Sequence, residues 1–504
     1  MTGDALNYFL TAWTDPYLMF LTAAGTFGGI YVGAIPGLSV TMAVSILMSF
    51  TFRWEVNEAL AMMLGVFMGG VYGGARSAIL LNIPGAPSAI ATALDGYPLA
   101  QRGEAGSAIG MSTIMSAVGG FVGIAVLAVA APYLSELALQ FRPEDYFLIA
   151  LMGIMLVGTM STGSLVKGIL GGALGITIGC IGLDPMTAVQ RFTFDMSLMS
   201  SGISPVVAMI GLFGVAEAFR QVANLDSAKV VQQVGKILPS PKLILKYLPL
   251  SLKSSAIGAA IGALPGSGGD LAALIAYDVA RRTTRNPSRP FGQGAWEGVI
   301  APESANNATV GTAFIPMLTL GIPGDAVTAI FIGALFVHGL NPGPMLMIMS
   351  PWIFMYIVGT LALANIFMVL FGLTGVKLFT KFVTIPKGIL IPIILVISVV
   401  GAYGVSNSMS DVYWVFAFGV LGFVFKTYGL GVGPIVLGII LSRLIEDNWR
   451  RMIIAAQGKA GDIIGGFFTS PLTVILSLIL ILLLLSQTRL FGRVFSLFRR
   501  RADG

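Results

Sequence analysis

From Ala105 to Ala131 the chain runs for 27 residues without one charged side chain. About 20 mostly apolar helical residues span the hydrocarbon core of a bilayer, and runs of this kind recur along the sequence. They fall near 58–82, 105–131, 146–161, 164–182, 203–220, 297–321, 346–372, 388–403, 411–428, 431–445 and 469–487. Only 10% of the 504 residues are charged and 56% are hydrophobic, against roughly 25% charged in soluble domains. The expectation is an all-α polytopic membrane protein without a separate soluble domain.

Several kinds of chemistry fall away. One cysteine, Cys180, and one histidine, His338, leave no internal disulfide, multi-cysteine metal site or histidine cluster. There is no P-loop signature for nucleotide hydrolysis, and no cofactor or nucleic-acid partner is expected. The N-terminus "MTGDALNYFLTAWTDP" lacks the basic start of a cleavable signal peptide.

Two segments interrupt the helical pattern in nearly the same words, GAIPG at 33–37 and GALPG at 262–266. Proline removes a helical hydrogen bond and clashes with the preceding turn. In lipid, each backbone group freed in this way must be satisfied by something else. The tripeptide IPG recurs at 83–85 and 322–324, and Pro143 and Pro386 open corresponding spans, at offsets of 229, 239 and 243 residues. The pattern is that of a duplicated unit.

Lysine and arginine stay in cytoplasmic loops. Arg220, Lys229, Lys236, Lys242, Lys246 and Lys253 form one basic stretch, and Arg281, Arg282, Arg285 and Arg289 a second. Only residues 254–280 separate them. One span would place one cluster outside, and two spans need about 40 residues. A re-entrant hairpin of two half-helices, each ~13 residues and ~20 Å long, satisfies both. The first copy has acidic or balanced flanks, with Asp4 and Asp15 before it and Arg53 against Glu55 and Glu58 after it. A hairpin over 18–52 then enters from the opposite face, and five spans in each copy close the count. The expected organisation is a first repeat over 1–220, a basic cytoplasmic connector over 221–253 and a second repeat over 254–445. Residues 446–504 hold an extracytoplasmic loop, a last span and a basic cytoplasmic tail. The repeats are read as inverted; a miscount of one span makes them parallel.

Inverted repeats with broken helices mark secondary transporters, in which half-helix N-termini take anionic groups and unwound carbonyls take cations. Gly37, Gly266, Gly268 and Gly269 admit a ligand close to the backbone, and Ser39, Thr41 and Ser267 add hydroxyls. The same glycines and prolines serve tight helix packing in the plainer reading. The polar run at 301–314 supplies Glu303, Ser304, Asn306, Asn307 and Thr309 ahead of Pro323 and Gly324. Glu303 reads either as a buried functional acid or as an interfacial group paired with an arginine. The first copy offers Arg76, Ser77, Asn82, Gly85 and Ser88. Arg76 is a bidentate carboxylate clamp, a structural pair or a snorkelling anchor. Asp270 and Asp325 follow glycine turns as helix caps or, with Asn306 and Thr309, as Na⁺ ligands or proton carriers. His338 reads as interfacial, Lys167 and Arg191 as anchors at span ends, and Gly372, in an unbroken span, as a position that accepts alanine. Asp270 and Asp278, in GGD and AYD, also admit an intramembrane aspartyl protease, with the motif order reversed.

The run "GALPGSGGDLAALIAYDVARR…FGQGAWEGVIAPESANNATVGTAFIPMLTLGIPGDAVTAIFIGALFVHGLNPGP", with "GAIPGLSVTMAVSI" and "LLNIPGAPSAIATALDGYPLAQRG" in the first copy, resembles the large membrane subunit of tripartite tricarboxylate transporters, the TctA family. The resemblance covers nearly the whole chain. It implies a cation-coupled (Na⁺ or H⁺) secondary importer of organic anions in the bacterial inner membrane; the charge flanks above put the N-terminus on the periplasmic side and the basic C-terminus in the cytoplasm. It implies a small four-span membrane subunit and a periplasmic substrate-binding protein as partners, allows homodimerisation of the complex, and points to an elevator-type carrier related to the ion-transporter group. A small residue is expected after LGIPG, where this chain has Asp325. A stand-alone carrier and a passive anion channel are the alternatives.

Overall fold

A computed structural model describes residues 2–35, 38–162, 164–184, 187–222, 235–376, 378 and 387–486. Gly37 and the basic tail lie outside these. The chain opens with α1 (Thr2–Thr14), α2 (Pro16–Ala34), α3 (Val40–Thr51), α4 (Val56–Leu81) and α5 (Ala89–Leu99). A π-helical turn, Ala100–Glu104, joins α5 to α6 (Ala105–Ala138). Next come α7 (Pro143–Thr162), α8 (Leu165–Gly179), a two-residue β-ladder and α9 (Ser197–Ser200). Then α10 (Pro205–Met209) runs through a π-helical stretch into α11 (Ala216–Val222). The second half holds α12 (Pro241–Gly262), α13 (Gly268–Thr283), α14 (Glu297–Thr312), α15 (Phe314–Leu320), α16 (Ala326–Val337), α17 (Pro344–Met349) and α18 (Pro351–Thr374). It closes with α19 (Lys387–Ser406), α20 (Met409–Thr427), α21 (Gly433–Ala455), α22 (Ala460–Gly466) and α23 (Pro471–Ser486).

Local signals set the boundaries. Asp15 caps α2 by accepting from the N–H groups of Tyr17 and Leu18, with Pro16 in the first turn, and Ser240 with Pro241 does the same for α12. That cap starts the first arm of the second helix pair at Pro241 rather than at residue 254, so the end of the basic stretch is helical. Among the described residues six helices are long and apolar enough to cross a membrane, and seven with the bent pair Ala460–Gly466 and Pro471–Leu484 counted as one. The other expected spans are helices too, but shorter or more polar, such as the 15-residue α8 and the 16-residue α14. The side chains of α14 are buried throughout, so protein rather than lipid is their solvent.

The contact pattern divides the chain into two compact units. One comprises Met1–Ala138 and Ile203–Val432, the other Leu139–Gly202 and Gly433–Gly504. In the second unit, Asp184 and Glu446 are bracketed by Arg191 and Arg450. Arg191 is therefore one of four members of an ion-pair network and not simply an anchor.

In the first unit, α2 lies directly on α4. A side chain at Gly25, Gly29 or Gly33 would strike the backbone of Met62, Val66 or Gly70 respectively. Both series ascend, so α2 and α4 run parallel, and the chain has to return between them through α3. The second half repeats the move: Gly258 abuts Ala305 and Gly262 abuts Thr309, so α12 and α14 run parallel and α13 returns. Backbones this close exclude any residue larger than glycine.

Candidate functional site

Both helices that end at an IPG fold back on themselves. Asn82 closes α4 in the left-handed conformation (φ 56°), and Gly85 then packs on Gly74, its N–H directed at the Gly74 carbonyl at 3.4 Å. In the second half Gly321 (φ 73°) closes α15, and Gly324 packs on Ala313. In both copies the glycine meets backbone eleven residues earlier in the chain. Pro323 and Gly324 are buried, and Asn82 is exposed.

The turn between α12 and α13 joins these two breaks. Gly268 has φ +62°, and a Cβ there would stand 3.7 Å from Asp325 Cβ. A Cβ on Gly269 would collide with Asn306 Oδ1 and stand 3.0 Å from Thr309 Oγ1. The Asp270 carboxyl faces the N–H and hydroxyl of Ser88, beside the first break, and lies within electrostatic reach of Asp325. Asn306 also reaches α4 through a 3.4 Å bond from Nδ2 to the Val71 carbonyl. The end of α2 meets the first break where Gly85 packs against the Gly33 carbonyl. Segments spread over more than 230 residues thus gather two carboxylates, an amide oxygen and hydroxyls. Among the described residues no lysine, arginine or histidine pairs with Asp270 or Asp325 within 4.0 Å.

Several of the expected residues also serve the local backbone, or serve it instead. Asp325 caps α16, accepting from the Thr328 N–H at 2.7 Å. Ser39 caps α3 through the Met42 N–H, with Thr41 half-buried in the first turn. The Ser267 hydroxyl donates to the carbonyls of Ile261 and Leu264 and closes α12. Ser304 bonds Ser251 at 2.7 Å. Asn307 is fully buried, donates to the Glu303 carbonyl, and among the described residues has no hydrogen-bond partner for Oδ1. Arg76 binds the Tyr72 hydroxyl and the carbonyls of Phe371 and Gly372, which makes it the cap of α18 and not an interfacial anchor. Gly372 itself faces Thr113 Cγ2, 2.5 Å from where a Cβ would sit, so alanine is not accepted freely there. His338 directs both ring nitrogens at carbonyls, those of Ala334 and Trp54.

Glu303 is 1% exposed and takes hydroxyls from Thr92 (2.5 Å), Ser112 (3.3 Å) and Ser116 (3.1 Å). The interfacial pairing with an arginine is overturned. Asp278 lies eight residues from Asp270 along α13, ~12 Å of helical rise, and is half exposed and paired with Arg282. Two carboxyls so placed make no protease dyad. Sequence reading missed Asp95. Its Oδ1 accepts from the N–H groups of Gly292, Gly294 and Ala295, and its Oδ2 from the Tyr277 hydroxyl. It anchors the loop before α14; no local pattern announces a partner nearly 200 residues away. An apolar cleft lined by Phe9, Trp13, Phe121 and Val358 offers no polar group for the chemistry.

Residues 19–437 match the model of the Tripartite tricarboxylate transporter TctA family. An uncharacterized 52.8 kDa protein in the TAR-I ttuC' 3' region of Agrobacterium vitis is 35% identical over 437 residues, 86% of this chain and 87% of that one. An uncharacterized protein in the TAR-II ttuC' 3' region of the same organism is 39% identical over 215 residues, 43% of this chain and 87% of that one. No solved structure matches.

Proposed function

Since the chain belongs to the tripartite tricarboxylate transporter TctA family, a family of membrane transporters, we propose that it is the large membrane subunit of a binding-protein-dependent, cation-coupled importer of organic anions. The observation that carries this reading is the meeting of both helix breaks at the α12–α13 turn, with Asp270 and Asp325 lacking a basic partner among the described residues. Carboxylate, amide and hydroxyl oxygens are ligands for a hard cation. A carboxylate substrate is repelled by two like charges until a cation neutralises them. Cation binding therefore precedes or accompanies anion binding, which is the thermodynamic content of coupling. Asn306 and Thr309 complete the cation set. The backbone at Gly268, Gly269 and Gly324 and the N-terminus of α16 face the anion.

The recurring element order, a returning helix pair followed by a helix broken at IPG, supports a duplicated architecture, with inversion following from the opposed charge flanks. The Glu104–Arg289 pair and the contacts of Trp54 with His338 and of Asn57 with Tyr356 agree with that topology, the former at the cytoplasmic end and the latter at the periplasmic end. The helix pairs are re-entrant hairpins on an elevator-type transport domain, and a small four-span subunit and a periplasmic binding protein complete the system in the inner membrane. The test is uptake of labelled citrate and other di- and tricarboxylates into proteoliposomes holding this chain, the small subunit and the binding protein, under an inward Na⁺ or H⁺ gradient. Uptake is expected only with all three components and a gradient. Full-rate uptake by the chain alone, or uptake indifferent to both gradients, refutes the reading.

A further inference from the structure

Two buried carboxylates in the first unit have contrasting partners. Asp95 accepts from three backbone N–H groups and a phenol. An N–H group only donates, so Asp95 Oδ1 is held as an acceptor. Glu303 has only hydroxyls, from Thr92 on α5 and from Ser112 and Ser116 on α6. A hydroxyl donates or accepts, so the same three groups can hold a carboxylate as acceptors of their protons, or a carboxylic acid whose own O–H donates to one of them.

The other ionisable groups on elements packed against α14 are engaged elsewhere or exposed. Asp95 of α5 and Tyr277 of α13 bond each other. Tyr247 of α12 bonds Glu297 of α14, and the α12 lysines are exposed. On α4, Arg76 is turned to Tyr72 and the end of α18. On α13, Asp270 faces Ser88, Asp278 pairs with Arg282, and Arg281 is exposed. The packed stretch of α6 and all of α15 carry no ionisable side chain. Among the described residues Glu303 has no ion-pair partner.

We propose that Glu303 is a proton-exchanging site, holding a proton in one stage of the transport cycle and releasing it in another. The oxygens stand at hydrogen-bond distances, and α6 closes on α14 with Gly119 against the Ser304 backbone and Gly123 against that of Ala308. That space suits a proton; a metal ion would have to part these hydrogen-bonded oxygens and find further ligands to reach about six. Glu303 precedes Asn306 on α14 by about one helical turn, and its partner Thr92 lies one turn after Ser88, beside Asp270. Proton uptake removes a negative charge next to the proposed anion site. Its link to transport rests on the reading above, and binding one proton with the anion changes apparent affinity by at most about tenfold per pH unit.

The test is a pH-difference infrared spectrum of the full-length chain in lipid nanodiscs, which needs no substrate and so stands apart from the transport reading. A carboxylic-acid C=O band that grows as pH falls is expected, lost in Glu303→Gln and shifted to a higher midpoint in Ser116→Ala, where one donor to the charged form is gone. Should Glu303→Gln fail to fold, the Ser116→Ala shift decides alone. Identical spectra for wild type and Glu303→Gln, an unmoved midpoint in Ser116→Ala, or a band that answers to Na⁺ and not to pH overturns the proposal.

Discussion

Replacing Gly269 by alanine adds a single methyl group, and the structure states what it meets. The new Cβ collides with Asn306 Oδ1 and comes within 3.0 Å of Thr309 Oγ1 and 3.3 Å of Asn306 Cγ. The first atom is the far end of a side chain, so the fold can survive by swinging the Asn306 amide away. Doing so gives up its long bond to the Val71 carbonyl and withdraws the amide oxygen from the proposed cation. A hydrogen bond to a charged partner is worth about 1.5–3 kcal/mol, which corresponds to a loss of affinity of roughly 10- to 150-fold. The assay is the Na⁺ dependence of citrate uptake by the three-component proteoliposomes, with thermal stability measured alongside. Gly28→Ala is the control, because nothing lies within 4 Å of its added Cβ. Asn306→Ala is expected to reproduce the defect, and the double variant to add little, as for residues acting through one contact. Wild-type Na⁺ and substrate dependence in Gly269→Ala, with normal folding, refutes the placement of the site.

Asp270→Asn and Asp325→Asn are expected to raise the Na⁺ concentration needed for uptake and to be partly rescued by added Na⁺; asparagine retains the N-cap function at 325, so a purely structural role predicts no change in Na⁺ dependence. Arg76→Ala removes charge-assisted bonds to the end of α18 and is expected to cost about 3 kcal/mol or more, read as a lower melting temperature; an unchanged melting temperature with selectively weakened substrate affinity would favour the carboxylate clamp. Asp95→Ala orphans three N–H groups and a phenol, at about 1–3 kcal/mol for each that stays buried, and is expected to open residues 285–296 to protease. With Cys180 replaced by serine, a cysteine at the exposed position Glu55 is expected to label from outside and one at the exposed Asn286 to remain protected; external labelling at Asn286 refutes the hairpin topology.

The sequence alone determined what the chain cannot avoid. Uncharged runs of bilayer length demand helices, and a proline–glycine pair inside such a run demands a break whose backbone groups find other partners. These facts act within a few residues, which is why the breaks at 83–85 and 322–324 and the turn at Gly268 and Gly269 were legible without coordinates. Fold-back at each IPG, parallel packing of α2 on α4 and of α12 on α14, and the meeting of Asp270 with Ser88 and of Gly269 with Asn306 were decided only in three dimensions. The same holds for Arg76 turning to α18, Asp95 holding a loop nearly 200 residues away, and Glu303 finding hydroxyls on α5 and α6. Helical periodicity says which side chains share a face. It does not say which other helix that face meets, because the choice depends on backbone approach at glycines and on satisfying every buried polar group at once.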